Sequence, residues 1–192
     1  MALVDIDNRS IRAKIVYYGP ARSGKSTNLR AIRDLLPADS EIESAGLDDG
    51  DAPTNFFDSV VVDAGDLSGF HVTFVLYSVS GQVGRDDARR AVLSGVDGVV
   101  FVADGTAGRE AENVASLREL EGILTDLSST DQLSVPVVIQ VNKLDLERLA
   151  GRDEFLRVLN PQGLPLMLAS ALHQQGVVET LQIIARDVVR RV

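Results

Sequence analysis

Residues 15–27 read Ile15-Val16-Tyr17-Tyr18-Gly19-Pro20-Ala21-Arg22-Ser23-Gly24-Lys25-Ser26-Thr27. From Gly19 onward the run satisfies G-x-x-x-x-G-K-[ST] at each fixed position. The apolar residues before Gly19 suit a buried strand. Leu29, Ile32 and Leu36 follow at helical spacing. Strand, glycine-bearing loop and helix therefore occur in the order a phosphate clamp needs. Gly19 and Gly24 permit a tight turn whose N–H groups converge, and the helix opening near Lys25 adds the positive end of its dipole. The clamp candidates are Gly19, Ala21, Arg22, Ser23, Gly24, Lys25, Ser26 and Thr27. Lys25 would reach the terminal phosphates and the Ser26 hydroxyl would ligate Mg²⁺.

The chain has 192 residues, enough for one full hydrophobic core, and reads as a single domain over 1–192. With no cysteine it can form neither disulfides nor thiolate metal sites, and a cytoplasmic setting is expected. The first residues lack the features of a signal peptide, no apolar run reaches membrane-spanning length, and no lipidation motif gives a direct membrane anchor. A net charge of −9 argues against nucleic acid as a partner, because tracking a phosphate backbone takes an excess of Lys and Arg.

Short apolar runs alternate with amphipathic segments, as in an α/β sheet with helices on both faces. Val99–Ala103 and Val137–Val141 read as central parallel strands. Leu164–Ala169 reads as a further strand, followed by a helix with an apolar stripe at Val177, Leu181, Ile184, Ala185 and Val188. Ala38–Pro53 carries no periodicity and is expected to be a loop. Phe56–Ala64 and Phe70–Val79 then follow with no helix between them, as an antiparallel hairpin turning at Asp66–Gly69. The expected fold is a P-loop NTPase of the Ras-like G-domain type: a mostly parallel six-stranded sheet with one antiparallel hairpin strand.

The base follows from Asn142-Lys143-Leu144-Asp145, placed directly after an apolar strand. The Asp145 carboxylate would accept from guanine N1–H and the 2-amino group, which adenine does not offer, so GTP and GDP are the expected ligands. Asn142 would contact the base edge and tie neighbouring loops together, with Lys143 beside it. Ser170-Ala171 resembles the Ser-Ala-Lys loop that caps guanine O6, with Leu172 in place of Lys. Thr54, at the end of the long loop, is a second Mg²⁺ ligand candidate and a switch residue, the alternative being a Thr that begins a strand. Gly81 would bond the γ-phosphate and Gln82 would orient the attacking water, which makes Gln82, Lys25 and Thr54 the catalytic candidates.

The runs Leu76–Val83, Gly95–Asp104 and Val138–Lys143, together with Ser23-Gly24-Lys25, Thr27-Asn28-Leu29 and Phe56-Phe57-Asp58, resemble the MglA family of prokaryotic Ras-like GTPases over most of the chain. The resemblance implies a bacterial GTPase that sets cell polarity or motility. It also implies a roadblock-type, MglB-like activator, and effectors that bind the switch segments Ala38–Thr54 and Ser78 to about Arg90.

Three positions depart from the usual pattern. The switch II Asp that holds Mg²⁺ through water is replaced by Ser78, as MglA-like chains replace it by Thr. If the hairpin turns near Asp66-Leu67, Ser78 lies opposite residues 55–57, which brings Asp58 near enough to supply the missing charge. A solvent-facing Asp58 is the alternative. The Arg that MglA-like proteins place before the switch Thr is absent, the neighbours here being Ala52-Pro53, and Ala21 stands where Gly is usual. Both changes point to slow hydrolysis, with Arg22, Arg85 or a partner's Arg as possible compensation. They also keep open a noncatalytic, GTP-bound scaffold as the alternative function. His71 and His173 read as ordinary strand and loop residues, and Arg89-Arg90 as an exposed helix face.

Overall fold

A computed structural model describes residues 2–36, 42–47, 54–79, 86–127, 135–146 and 152–192. In chain order the strands are β1 (Leu3–Asp5), β2 (Ser10–Tyr18), β3 (Ile42–Leu47), β4 (Thr54–Leu67), β5 (Phe70–Val79), β6 (Gly98–Asp104), β7 (Val137–Asn142) and β8 (Leu166–Leu168). The helices are α1 (Lys25–Leu35), α2 (Asp86–Leu93), α3 (Glu110–Leu127), α4 (Arg152–Leu159) and α5 (Val177–Val189). The strands form one sheet in the order β3-β4-β5-β2-β6-β7-β8, with β1 pairing antiparallel to β2. From β5 to β8 the pairing is parallel, whereas β3/β4 and β4/β5 are antiparallel.

The six expected strands are thus present, and two short ones extend the sheet. One corrects the reading of Ala38–Pro53 as loop, because Ile42–Leu47 pairs with Thr54–Val60 as an edge strand. A six-residue strand with Gly, Ser and Glu has little apolar alternation to betray it, and its partner supplies the order. Among the described residues, no helix is long and apolar enough to cross a membrane.

Strand periodicity sorts the core into two layers. Ile15, Tyr17, Val100, Val102 and Val138 face Leu29 and Ile32 of α1 and Val177, Leu181, Ile184 and Val188 of α5. Val16, Tyr18, Val99, Phe101, Ile139 and Val141 face Val92 and Leu93 of α2, Leu117, Leu120 and Leu124 of α3, and Phe155 and Leu159 of α4. Because β6, β7 and the second half of β2 (Ile15–Tyr18) are buried on both faces, they read as near-continuous apolar runs, and each fully buried Val, Leu or Ile side chain contributes about 1.5–3 kcal/mol. Gly98 lets α5 sit close: a Cβ there would come within 2.6 Å of Val188 Cγ2.

The β4–β5 hairpin turns at Ser68-Gly69, whose φ angles of 52° and 87° suit a two-residue turn with both residues left-handed. One residue is bulged between Asp63 and Gly65, and above it the register brings Asp58 directly opposite Ser78. The turn lies further along than Asp66-Leu67, which is why the partner of Ser78 is Asp58 itself and not residues 55–57. At the hairpin tip His71 lies between two carboxylates, with Nε2 3.3 Å from Asp63 and Nδ1 3.2 Å from Asp66.

Candidate functional site

The site gathers at the C-terminal ends of β2, β6 and β7, where a parallel sheet opens a crevice for ligands. Tyr18 ends β2, and the loop from Gly19 leads directly into α1. Its glycines are there for want of space. A Cβ on Gly19 would meet the Val102 carbonyl oxygen at 2.2 Å, and one on Gly24 would meet Asn142 Nδ2 at 2.2 Å. Gly24 caps α1 with φ 100°, and the exposed Arg22 is itself left-handed at φ 65°. Alternation of this kind turns successive N–H groups inward to form a nest for anions.

Lys25, buried beneath the loop, donates from Nζ to the Gly19 carbonyl at 2.9 Å and to the Pro20 carbonyl at 2.6 Å. Among the described residues no carboxylate pairs with it. Burial, reinforced by the Arg89 guanidinium, pushes its pKa down to about 8. A cation placed in this way is short of negative charge, which is the chemistry of an anion site.

Ser26 Oγ lies 3.3 Å from Ser78 Oγ, and Ser78 Oγ in turn donates to Asp58 Oδ2 at 3.3 Å. The hydroxyl at the helix start is thereby connected to a carboxylate two strands away. Thr54 is the first residue of β4 and pairs with Leu47, so its backbone belongs to the strand and not to a free loop. Gly81 and Gln82 lie outside the described residues, as do Ala52, Pro53 and Arg85.

At the other end of the crevice Asn142 is buried at the end of β7. Its Nδ2 donates to the Ser23 carbonyl at 2.9 Å and its Oδ1 accepts from Ala171 N–H at 2.8 Å. One side chain thus fastens the phosphate loop to the Ser170-Ala171 loop. The Asp145 carboxylate is exposed, and the Ser170 hydroxyl donates to Oδ1 and holds its pKa below the ordinary carboxylate range. Lys143 is left-handed at φ 68° and donates to Asp104 Oδ2 at 2.7 Å. Leu172 is strongly exposed beside this loop.

Several contributors escaped the sequence reading. Asp104, almost fully buried, collects Lys143, the Thr106 hydroxyl and N–H, and Arg109. Burial raises its pKa, but the hydrogen bonds from Lys143 and Thr106 outweigh this and hold it low. Arg109 also donates to the Ala21 carbonyl at 3.1 Å and pairs with Glu112, so it clasps the phosphate loop from the start of α3. Arg89, expected to be exposed, is buried. It pairs with Glu119 of α3 and lies 5.9 Å from the Tyr18 ring centroid, while Arg90 alone faces solvent, paired to Asp126. Two like residues in a row must point to different sides of a helix, and that was the available signal.

A phosphate-binding loop after the first parallel strand, an N-K-x-D loop after a later one, and an antiparallel hairpin between them define a P-loop domain of the Ras-like GTPase fold. The comparisons agree with this. The chain is 38% identical over 186 residues to the mutual gliding-motility protein MglA of Myxococcus xanthus, covering 97% of this chain and 95% of that protein. It is also 38% identical over 96 residues to the GTPase Der of Solidesulfovibrio magneticus, covering 50% of this chain and 19% of that one. No protein-family model matches it. The chain belongs to the MglA family.

Proposed function

We propose that the whole chain is one G domain that binds GTP and GDP with Mg²⁺, hydrolyses GTP slowly, and acts as a molecular switch in a bacterial cytoplasm. The observation that carries this reading is the double attachment of Asn142. It holds the phosphate loop through Ser23 and the Ser170-Ala171 loop through Ala171, with the Asp145 carboxylate facing open space alongside. A ligand spanning those two loops carries phosphate at one end and a base offering two donors at the other. That description fits a guanine nucleotide.

The residues also fit Mg²⁺. The hydroxyls of Ser26 and Ser78 adjoin one another with Asp58 behind them, an all-oxygen set suited to a hard ion that keeps most of its waters. In this reading Ser26 ligates the ion, Thr54 at the start of β4 is its second protein ligand, and Asp58 provides through Ser78 the charge that Ras-like chains take from a switch II Asp. The bound ion would neutralise charge developing on the phosphates. Lys25 leaves the Gly19 and Pro20 carbonyls for the terminal phosphates, Gly81 donates to the γ-phosphate, and Gln82 orients the attacking water.

Without an Arg before Thr54 the chain lacks a group that contributes roughly 10³–10⁵ in rate, so hydrolysis depends on a partner. Membership of the MglA family supports a roadblock-type, MglB-like regulator in that role, a function in polarity or motility, and effectors that read the switch segments. The serine at position 78 and the alanine at position 21 favour, as a second reading, a GTP-loaded scaffold that does not turn over. Identification of the nucleotide bound on purification, followed by single-turnover phosphate release with and without a roadblock protein, separates the two. Equal affinity for ATP and GTP would overturn both.

A further inference from the structure

Gln140 is the one amide inside the apolar run Val137–Val141, fully buried on the central strand β7. Its Nε2 donates to Asn28 Oδ1 at 3.0 Å and to Thr180 Oγ1 at 3.0 Å, joining α1, β7 and α5. Asn28 is equally buried, and both its main-chain N–H (2.9 Å) and its Nδ2 (3.0 Å) donate to the Gly24 carbonyl. Thr180 Oγ1 donates to the Gly176 carbonyl, at the entry to α5. Side chains two apart on a strand share a face, so Gln140 lies directly below Asn142. The two amides reach the same pair of neighbours: the phosphate loop and its helix on one side, the Ala171 loop and α5 on the other.

The lower tie is not required for packing. Its surroundings are the apolar layer between the sheet and α1/α5, where two aliphatic side chains would satisfy burial without desolvating four polar groups. It is also incomplete, since Gln140 Oε1 has no hydrogen-bond partner among the described residues. A buried polar network kept at such a cost fixes geometry. What it fixes here is the Gly24–Lys25 peptide. In a planar trans peptide the C=O and N–H point in opposite directions, so two donors drawing the Gly24 oxygen down into α1 aim the Lys25 N–H outward into the nest.

We propose that Gln140 is a positioning residue for the phosphate site: through Asn28 it orients the Gly24–Lys25 peptide, and through β7 it sets that orientation in register with the guanine-reading loop. The proposal rests on the guanine-nucleotide reading above. GDP presents a β-phosphate to the first amides of the helix, whereas GMP does not.

The test uses the full chain and compares wild type, Gln140→Met, Gln140→Leu and the double variant Asn28→Leu/Gln140→Leu. The thermal midpoint is measured with GDP and GMP affinities obtained by competition. Gln140→Leu leaves the Asn28 oxygen unpaired and lowers the midpoint. The double variant removes both partners and recovers it, because two apolar groups of similar shape replace a buried polar pair nearly neutrally. If Gln140 positions the peptide, Gln140→Met, which keeps Asn28, and the double variant both bind GDP about tenfold more weakly than wild type while GMP affinity is unchanged. A double variant with wild-type GDP affinity, or one in which GDP and GMP weaken equally, overturns the proposal. The GDP-to-GMP ratio of Gln140→Met alone decides the matter if the double variant fails to fold. A wild-type protein that binds neither nucleotide would instead sink the guanine reading itself.

Discussion

Ser78 and Asp58 face each other across β4 and β5, and the serine hydroxyl donates to the carboxylate at 3.3 Å while lying equally far from Ser26 Oγ. On the reading proposed above, Asp58 stands in for the carboxylate that Ras-like chains carry on the switch II strand, acting from the neighbouring strand through the Ser78 hydroxyl. Groups that orient metal ligands from behind typically matter by about 10–100-fold in metal affinity. Asp58→Asn is therefore expected to raise, by about tenfold or more, the Mg²⁺ concentration at which GDP release becomes slow. Release measured against a Mg²⁺ titration checks this, and an unchanged midpoint would remove Asp58 from the metal's surroundings.

Asp145 offers two acceptor oxygens, one of them already bonded to the Ser170 hydroxyl. In Asp145→Asn one oxygen becomes an amide donor, which suits a base carrying a carbonyl where guanine carries its amino group. The variant should lose most of a guanine preference of roughly 10⁴–10⁵ and gain affinity for xanthosine diphosphate. Competition titration with the two diphosphates reads both changes, and retained guanine preference would contradict the assignment.

Lys25 supplies a pH dependence of determinate sign. Its folded-state pKa of about 8 lies below that of an exposed lysine. Between about pH 8 and the ordinary lysine range the unfolded chain thus binds more protons, and the nucleotide-free protein gains stability as pH rises across that window. Phosphate beside Lys25 restores the proton, so GDP binding takes one up above about pH 8. Affinity should be flat below that value and fall above it by up to about tenfold per pH unit, and Lys25→Met should abolish the slope. Titrations between about pH 7 and 9 measure it, with Lys25→Met as the control for ionisation of the base.

Asn113 is a purely structural counterpart. From the first turns of α3 its buried amide accepts from Asp104 N–H and donates to the Asp104 carbonyl, both at 2.8 Å. Asn113→Leu orphans two buried main-chain groups at about 1–3 kcal/mol each, so a loss of roughly 2–6 kcal/mol is expected in denaturant unfolding. A loss below 1 kcal/mol would mean that water replaces the amide.

Much of this architecture was legible because its signals are local. Gly19 to Ser26 names its own backbone geometry, and Val99–Ala103, a short run rich in β-branched residues, reads as a strand buried on both faces. Asn142 was readable as a tie between loops because it follows such a strand. What escaped depends on partners distant in sequence. Gln140 looks like a passenger until Asn28 and Thr180 are placed beside it, 112 and 40 residues away. Arg89 looks solvated until α3 brings Glu119 against it. Ile42–Leu47 becomes a strand through the edge it meets, and its own residues do not announce it.

The extra residue between Asp63 and Gly65 bears on how relatives are compared. A chain without that kink needs one residue fewer between its hairpin tip and the carboxylate, so counting straight back from the tip would set Ser59 against position 78 and hide the aspartate. An alignment of this hairpin should open its gap at Ala64, and a homologue that seems to have lost its acid may only have been counted without it.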